Sequence, residues 1–323
     1  MYDIIGDIHG HAFELLMLLN KLGYSYQDNT YKHPRGRKVL FVGDYIDRGP
    51  QSFYVYKTVR SMVEGGSAIA LMGNHEFNFV CYHTLDMDEG VYLRPNNAKN
   101  RHQIAKTLEN LEQHSYKDHD ALKEMLDWFR KLPLWFENNQ FRAVHACWDT
   151  AIIERLKADF GGNTIPSDQW KSCSVVNGFK GPCFEAIEVI LKGRELKIPK
   201  GGSFNDKDGH KRTNFRVKWW EPVNNKTIEE AAVKASDFKG DPILQEVLTE
   251  SIGFEPYLST EKPVFVGHYW LDAHKDKIAL RAPNVACLDY SIAKGGSLVA
   301  YQMNTASLDA EAFVVFSPTD FNK

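Results

Sequence analysis

The sequence predicts an α/β fold built on a parallel sheet, and three stretches within roughly its first 80 residues predict it. Ile4-Ile5 runs into Gly6-Asp7-Ile8-His9-Gly10. Val39-Leu40-Phe41-Val42 runs into Gly43-Asp44-Tyr45-Ile46-Asp47-Arg48-Gly49. Ile69-Ala70-Leu71-Met72 runs into Gly73-Asn74-His75-Glu76. Each time a short apolar run stops at a glycine, as a buried strand does, and metal-ligand residue types follow. In open α/β sheets such residues collect where strands end.

Taken in order, residues 2–6 form the first strand. Phe13, Leu15, Leu16, Leu18, Leu19 and Leu22 then give His11 to Leu22 a broad apolar helical face, which Gly23 is placed to close. Strand 39–42 follows, then a helix with Pro50 in its first turn that runs to about Met62 and breaks at Gly65-Gly66. Strand 68–72 completes a βαβαβ order, which calls for parallel pairing. Residues 81–100 are polar and aperiodic and predict a long loop or insertion. Two helices follow, about 101–114 and 118–131, the second with Leu122, Met125, Leu126 and Phe129 on one face. Pro133–Phe136 and Phe141–His145 predict a hairpin about Asn138-Asn139.

From about 160 to 255 the pattern weakens. Nine Lys or Arg (Lys192, Arg194, Lys197, Lys200, Lys207, Lys211, Arg212, Arg216, Lys218) stand against Glu195, Asp206 and Asp208, six positive charges in excess. Turn residues at Gly201-Gly202 and Asp208-Gly209 suggest an extended β-arm, and 226–250 an acidic amphipathic helix or two. Strand patterns return at 263–268, 285–289, 298–301 and 313–316. The expected organisation is a core of 1–160 and 256–323, with 161–255 inserted over or beside the candidate site.

The chain of 323 residues is 43% hydrophobic and 25% charged, with a formal charge of −3. That is ordinary globular composition, and it argues against a nucleic-acid-coating or membrane-bound protein. The five cysteines (Cys81, Cys147, Cys173, Cys183, Cys287) are odd in number and include no CxxC spacing. A disulfide framework or zinc knuckle is not expected, and a reducing compartment fits. With no cleavable leader expected before the first strand and no apolar run near the roughly 20 residues of a membrane helix, the cytoplasm is the expected location.

Chemistry concentrates in the three loops. Asp7 and His9, two apart, can turn toward one cation, although a plain turn with Asp7 accepting backbone hydrogen bonds would use the same residues. Asp44 and Asp47 beside Arg48 place a cation site next to an anion site, which a metal-assisted phosphate enzyme needs.

With GDIHG, GDYIDRG and GNHE in this order, the chain resembles the calcineurin-like metallophosphoesterase superfamily, in its phosphoprotein-phosphatase-like branch. The resemblance covers about 1–80, 132–150 and 260–302. It implies a four-layer αββα sandwich with an inserted subdomain. It implies two divalent metal ions, manganese first and iron or zinc next, held by Asp7, His9, Asn74, His145 and His268 around a bridging Asp44. It further implies His75 as general acid oriented by Asp47, and Arg48 as the clamp on phosphoryl oxygens, with a metal-bridging hydroxide attacking phosphorus in line. A second phosphate-binding arginine is expected between the late histidines; Arg216 is the candidate, with Arg212 behind it. Glu76 is expected to be structural, as is Cys147. Asp289 would either orient a ligand histidine or cap a turn.

One departure is His145-Ala146-Cys147, where that branch has His-Gly-Gly. It resembles the bacterial members, which include symmetrical dinucleoside tetraphosphatases, Ser/Thr phosphatases and RNA end-healing phosphatases. The substrate expected is therefore a phosphoprotein or a nucleotide, with nucleic-acid end processing as an alternative and a catalytically silent metal-binding module as another. Phe204, Phe215, Trp219 and Trp220, among the basic residues, would either stack a base or form the insert's own small core.

Overall fold

Two sheets account for the apolar runs. The structure, a computed structural model, describes residues 1–114, 120–205, 211–238, 241–249, 253–273, 276–305 and 307–318. In chain order the main elements are β1 (Tyr2–Ile5), α1 (Ala12–Lys21), β2 (Lys38–Phe41), α2 (Ser52–Glu64), β3 (Ala68–Ala70), α3 (Asn74–Tyr82), α4 (Ala98–His114), α5 (Ala121–Phe129), β4 (Trp135–Glu137), β5 (Arg142–Val144), α6 (Thr150–Phe160) and α7 (Phe184–Lys192). There follow β6 (Glu195–Lys197), β7 (Asn214–Arg216), β8 (Val264–Val266), β9 (Val285–Cys287), β10 (Asp289–Tyr290), β11 (Ser297–Met303) and β12 (Phe313–Phe316).

The first sheet has the order β10-β11-β1-β2-β3, with β12 added on β11. β1, β2 and β3 are parallel, with Ile4 opposite Leu40 and Leu40 opposite Ile69. β11 returns antiparallel, with Ala300 opposite Ile5, so both ends of the chain build one sheet. The second sheet has the order β9-β8-β5-β4. Phe265 lies opposite both Ala143 and Ala286 in parallel pairing, and the hairpin about Asn138 adds β4. The sheets meet face to face through aromatic rings, Tyr2 on Phe141 (5.3 Å between centroids) and Phe265 on Tyr301 (5.0 Å). On the outside of the first sheet α1 buries Leu15, Leu18 and Leu19, and α2 buries Val55, Val59 and Met62. On the other side α6 and α7 bury Ile153, Leu156, Ile187 and Ile190, and the Ile190 carbonyl accepts the Ala146 N–H (3.0 Å) just past β5. This is the four-layer sandwich, with β1, β2, β3, β5 and β8 all ending toward one edge of the two sheets.

Several local expectations are corrected. Pro50 stands before the cap residue Gln51 rather than in the first turn of α2. Residues 81–100 hold the end of α3, a short hairpin (Leu85–Asp86 with Val91–Tyr92) and the start of α4. The period of α4 escapes hydropathy because its buried face includes Asn100, Thr107 and Asn110 beside Ile104 and Leu111. Residues 226–250 do not form a long helix. The capping box of Thr227 and Glu230 starts only a short turn, Ile228–Ala231, and Pro242 opens a separate 3-10 turn. Residues 118–119 of the helix expected over 118–131, Lys207, the Asp208-Gly209 turn, and positions 239, 240 and 250 lie outside the described residues.

The basic stretch is an extended β-arm. β6 pairs antiparallel with β7, Leu196 opposite Phe215, and Phe204–Asn205 pairs with Lys211–Arg212. Ile198, Phe204, Phe215, Val217, Ile228, Phe238 and Leu248 pack into a second, smaller core. Trp170, Ile187, Trp219 and Trp220 belong instead to the main core. The four aromatics are therefore core residues: Phe204 packs on Phe238 (4.1 Å between centroids), and the Trp219 indole N–H donates to the Tyr269 hydroxyl (2.9 Å). No helix among the described residues is long and apolar enough to cross a membrane.

Candidate active site

Every strand end that carries a motif delivers it to the same place. Gly43, at φ +110°, lets the loop after β2 pass so near the start of α3 that a Cβ there would sit 2.6 Å from the Gly73 backbone. Gly267 does the same after β8, where a Cβ would overlap the Asp7 carboxylate at 1.9 Å. The residues that follow carry strain. His9, Asp44, Asp47, Arg48, His268 and Trp270 all have positive φ, between 47° and 71°, a conformation that costs a non-glycine residue energy and that clusters at functional sites.

Asp44 lies at the centre. Its Oδ2 is 3.5 Å from His9 Nε2 and 3.9 Å from His75 Nε2, and its Oδ1 is 3.3 Å from His145 Nε2. Two groups of potential metal-binding atoms result, His9–Asp44–His75 and Asp44–His145–His268, each with its atoms within 4.8 Å of one another, and Asp44 belongs to both. The Asn74 amide oxygen completes the second, 3.2 Å from His145 Nε2 and 2.7 Å from His268 Nδ1. Asp7 lies alongside and accepts the His268 backbone N–H at 3.0 Å.

Outer partners fix the rings. His9 Nδ1 donates to the Ile46 carbonyl (3.0 Å) and His145 Nδ1 to that of Val42 (2.9 Å), so each ring is held with its Nε2 facing Asp44. Glu76 holds the loop that presents Asp44. Its carboxylate accepts the N–H groups of Asp44 (2.9 Å), Tyr45 (2.8 Å), Ile46 (3.3 Å) and Gly73 (3.1 Å), the structural role expected of it.

Electrostatics points to a missing positive charge. Burial, with Asp289 and Asp44 adding to it, pushes the Asp7 carboxyl well above the usual carboxylate range. Burial alone would raise Asp44 too, but the rings of His145, His75 and His9 outweigh it and hold Asp44 well below that range. Burial, with His75 beside it, keeps His9 neutral at pH 7, and burial with Arg216 and His145 does the same for His268. Neutral imidazoles and a carboxylate are what a divalent cation binds. Buried polar atoms normally find partners, yet His9 Nε2, Asp44 Oδ2 and His268 Nε2 have none among the described residues. These residues fit a metal centre.

Next to it stands a second group. His75 Nδ1 and Asp47 Oδ2 are 2.6 Å apart, and the Thr107 hydroxyl donates to Asp47 Oδ1 at 2.7 Å. Arg48 Nη2 reaches His75 Nε2 at 3.1 Å, and its guanidinium lies 3.4 Å above the Trp270 ring. The sequence reading missed Trp270 and Thr107. Arg216 comes near: its charge bears on His268, its Nε is buried without a partner, and it lines the same cavity of about 520 Å³ as Arg48 and Arg212. Asp289 touches no histidine ring. Its oxygens accept the N–H groups of Trp270 (2.6 Å) and Ser291 (3.0 Å), so of its two expected roles it takes the turn cap. Cys147 is buried, its thiol pushed up by burial, as expected of a packing residue.

Comparison with known proteins agrees with this arrangement. The family model described as calcineurin-like phosphoesterase matches residues 2–250, well over half of the chain. The chain belongs to that family. Membership implies divalent metal ions, in keeping with the donor set around Asp44. Among curated relatives, the asymmetrical bis(5'-nucleosyl)-tetraphosphatase PrpE of Anoxybacillus flavithermus is 52% identical over 75 residues, 23% of this chain and 31% of that protein. The protein of the same name from Bacillus subtilis is 34% identical over 151 residues, 45% of this chain and 57% of that protein. This chain thus spans between about a third and just over half of those phosphoesterase relatives' lengths. A solved structure of a cold-active protein-tyrosine phosphatase from a Shewanella species covers 94% of this chain and 75% of its own, at 16% identity and a TM-score of 0.46.

Proposed function

We propose that this chain is a phosphoesterase that hydrolyses phosphate esters or phosphoanhydrides with two divalent cations. One observation carries the reading: a single buried carboxylate, Asp44, is shared by two clusters of metal-binding atoms, and its Oδ2 and the His9 Nε2 that faces it have no hydrogen-bond partner among the described residues. His9 and Asp7 would serve one cation, Asn74, His145 and His268 the other, and Asp44 both. Manganese is the first ion to supply, with iron and zinc next. When bound, the two ions would acidify a water molecule and draw charge from the phosphoryl oxygens.

The rest of the work falls to side chains of the chain. Arg48, planar and forked, suits two phosphoryl oxygens at once, and Arg216 faces the same space. With Nδ1 held by Asp47, His75 presents Nε2 toward Asp44 and the reaction centre. Here Arg48 Nη2 donates to that nitrogen. An arriving phosphoryl group draws the guanidinium onto its own oxygens, which frees Nε2 to take a proton from solvent and then, as the imidazolium, to pass it to the departing oxygen as the bond to phosphorus breaks. The silent-module alternative would have no use for this pair.

The proposed organisation is a catalytic core of 1–160 with 256–323 that carries 161–255 as an insertion, and the proposed location is the cytoplasm. Hydrolysis by metal-stripped protein resupplied with Mn²⁺ tests the reading. An aryl phosphate, a Ser/Thr phosphopeptide and diadenosine tetraphosphate would run side by side. Turnover that depends on the added ion is expected, and the relatives' names make the tetraphosphate the substrate to try first. Two diphosphates as products would mark a symmetrical cut, a triphosphate with a monophosphate an asymmetrical one. No turnover of any substrate, with two metals bound, would put the silent module in its place.

A further inference from the structure

The insert's β-arm meets the candidate site along one wall of the cavity that Arg48 enters. Among the described residues Arg48, Lys211, Arg212, Arg216, Lys234 and Lys294 line it, with Glu195 as the acid, so that there cations exceed acids by five. Lys234 is engaged, since its ammonium donates to the Trp270 carbonyl. Among the described residues no acid pairs with Arg216 or Lys294. A cleft of one sign focuses the field on an oppositely charged ligand. At about 520 Å³ the cavity also has the size that encloses a whole small molecule, far more than one phosphoryl group needs.

Two of the cations share one aromatic ring. Arg48 lies 3.4 Å over the Trp270 ring and the Lys294 ammonium 4.4 Å over the same ring. Arg216 has a buried, unpartnered Nε. Lys211 and Arg212 lie on the strand of the arm that pairs with Phe204–Asn205, where both are exposed. Phe204, Phe215, Phe238, Tyr269 and Trp270 line the cavity as well.

We infer that this wall is a subsite for phosphates beyond the one being cleaved, so that a linear polyphosphate group is bound along it from Arg48 through Lys294 to Lys211 and Arg212. The inference rests on the proposed phosphoesterase reading for the placement of the first phosphate at Arg48, and it assigns the insert a function. Lys211 and Lys294 touch none of the side chains around Asp44, so their loss should leave the reaction centre as it is.

The test uses the full-length protein and inorganic tripolyphosphate as probe, with Mn²⁺ in excess over it. Inhibition of aryl phosphate hydrolysis by tripolyphosphate and by orthophosphate would be compared for the wild type and a Lys211→Gln, Lys294→Gln double variant. Tripolyphosphate should bind the wild type about ten-fold or more tighter than orthophosphate, and the variant should lose about ten-fold of that preference. Its kcat/KM on the aryl phosphate should stay within about two-fold, which also shows that it folds. An unchanged preference for tripolyphosphate would overturn the subsite. So would an equal loss for orthophosphate. Should the wild type turn over no aryl phosphate, the proposed function has failed on its own, and calorimetric titration of tripolyphosphate into both proteins still decides the subsite by the same ten-fold criterion.

Discussion

Asp3 and Asp7 stand four residues apart, at the two ends of one buried strand, and their surroundings could hardly differ more. Asp3 is fully satisfied. Its oxygens accept from Arg37 Nη2 (2.6 Å), Arg37 Nε (2.9 Å) and the Tyr24 hydroxyl (2.8 Å), while Arg37 goes on to the Asn304 amide oxygen (2.7 Å) and the Tyr2 carbonyl (2.9 Å). Asp7 receives only the His268 N–H, and two further buried acids, Asp44 and Asp289, bear on it. Both ends bury charge. One end closes its account of hydrogen bonds with protein groups and keeps regular backbone; the other leaves polar atoms unpartnered on strained backbone. A buried charge that is paired belongs to the fold, and one that is kept unpaired at a cost in stability waits for a ligand. The difference is testable, because it predicts which changes harm folding and which harm chemistry.

The largest effect should come from Asp44→Asn, which removes the one carboxylate that both clusters share. Turnover should fall about 1,000-fold or more, given several kcal/mol of metal-derived stabilisation. Bound metal, read by elemental analysis, should drop from two ions per chain to one or none, and the melting temperature should hold or rise. A loss of activity below about ten-fold would break the assignment. His75→Asn comes next. It should cost about 100- to 10,000-fold on a phosphate ester with a poor leaving group, and much less on p-nitrophenyl phosphate, whose leaving oxygen needs no proton. Metal content should not change. An equal loss on both substrates would remove His75 from the acid's role.

At the opposite end of β1, Arg37→Met should destabilise the fold by about 3–5 kcal/mol, since it leaves Asp3 buried without its partner. Chemical denaturation would measure this. The folded fraction should keep two metals and its kcat. If metal content fell with stability, the two ends of the strand would be coupled and the contrast between them would be false.

The same contrast explains what the sequence made legible. Strands β1, β2, β3, β5 and β8 were visible as apolar runs, and the glycines after them marked where chain segments pass too close for a Cβ. The six residues of the candidate metal centre each follow such a run, and it was the resemblance that singled them out. The pairing of Asp47 with His75, 28 residues apart in sequence, came only from resemblance, since no local pattern joins them. Thr107 and Asn110 were hidden because they are polar residues on the buried face of α4, where hydropathy finds no stripe. Trp270 was hidden for another reason. Its place depends on positive φ at His268 and at Trp270 itself, and on the hydrogen bond to Asp289 that holds the turn, none of which has a sequence period. Asp3, the firmest buried charge on the strand, carried no pattern that set it apart from a surface residue.

Trp270 also supplies the smallest effect, and the finest division between fold and chemistry. Its indole face supports the Arg48 guanidinium, and it touches neither Asp3 nor the shared carboxylate. Replacing it by leucine removes the cation–π contact, worth about 1 kcal/mol in a partly desolvated site, and lets Arg48 sample orientations that do not face a phosphoryl group. The expected loss in kcat/KM on an aryl phosphate is therefore about five-fold, with phenylalanine recovering part of it. Bound metal and melting temperature should stay at wild-type values in both variants. Were leucine instead to lower the melting temperature as Arg37→Met does, Trp270 would be a packing residue that Arg48 merely lies on, and the strained turn after β8 would belong to the fold.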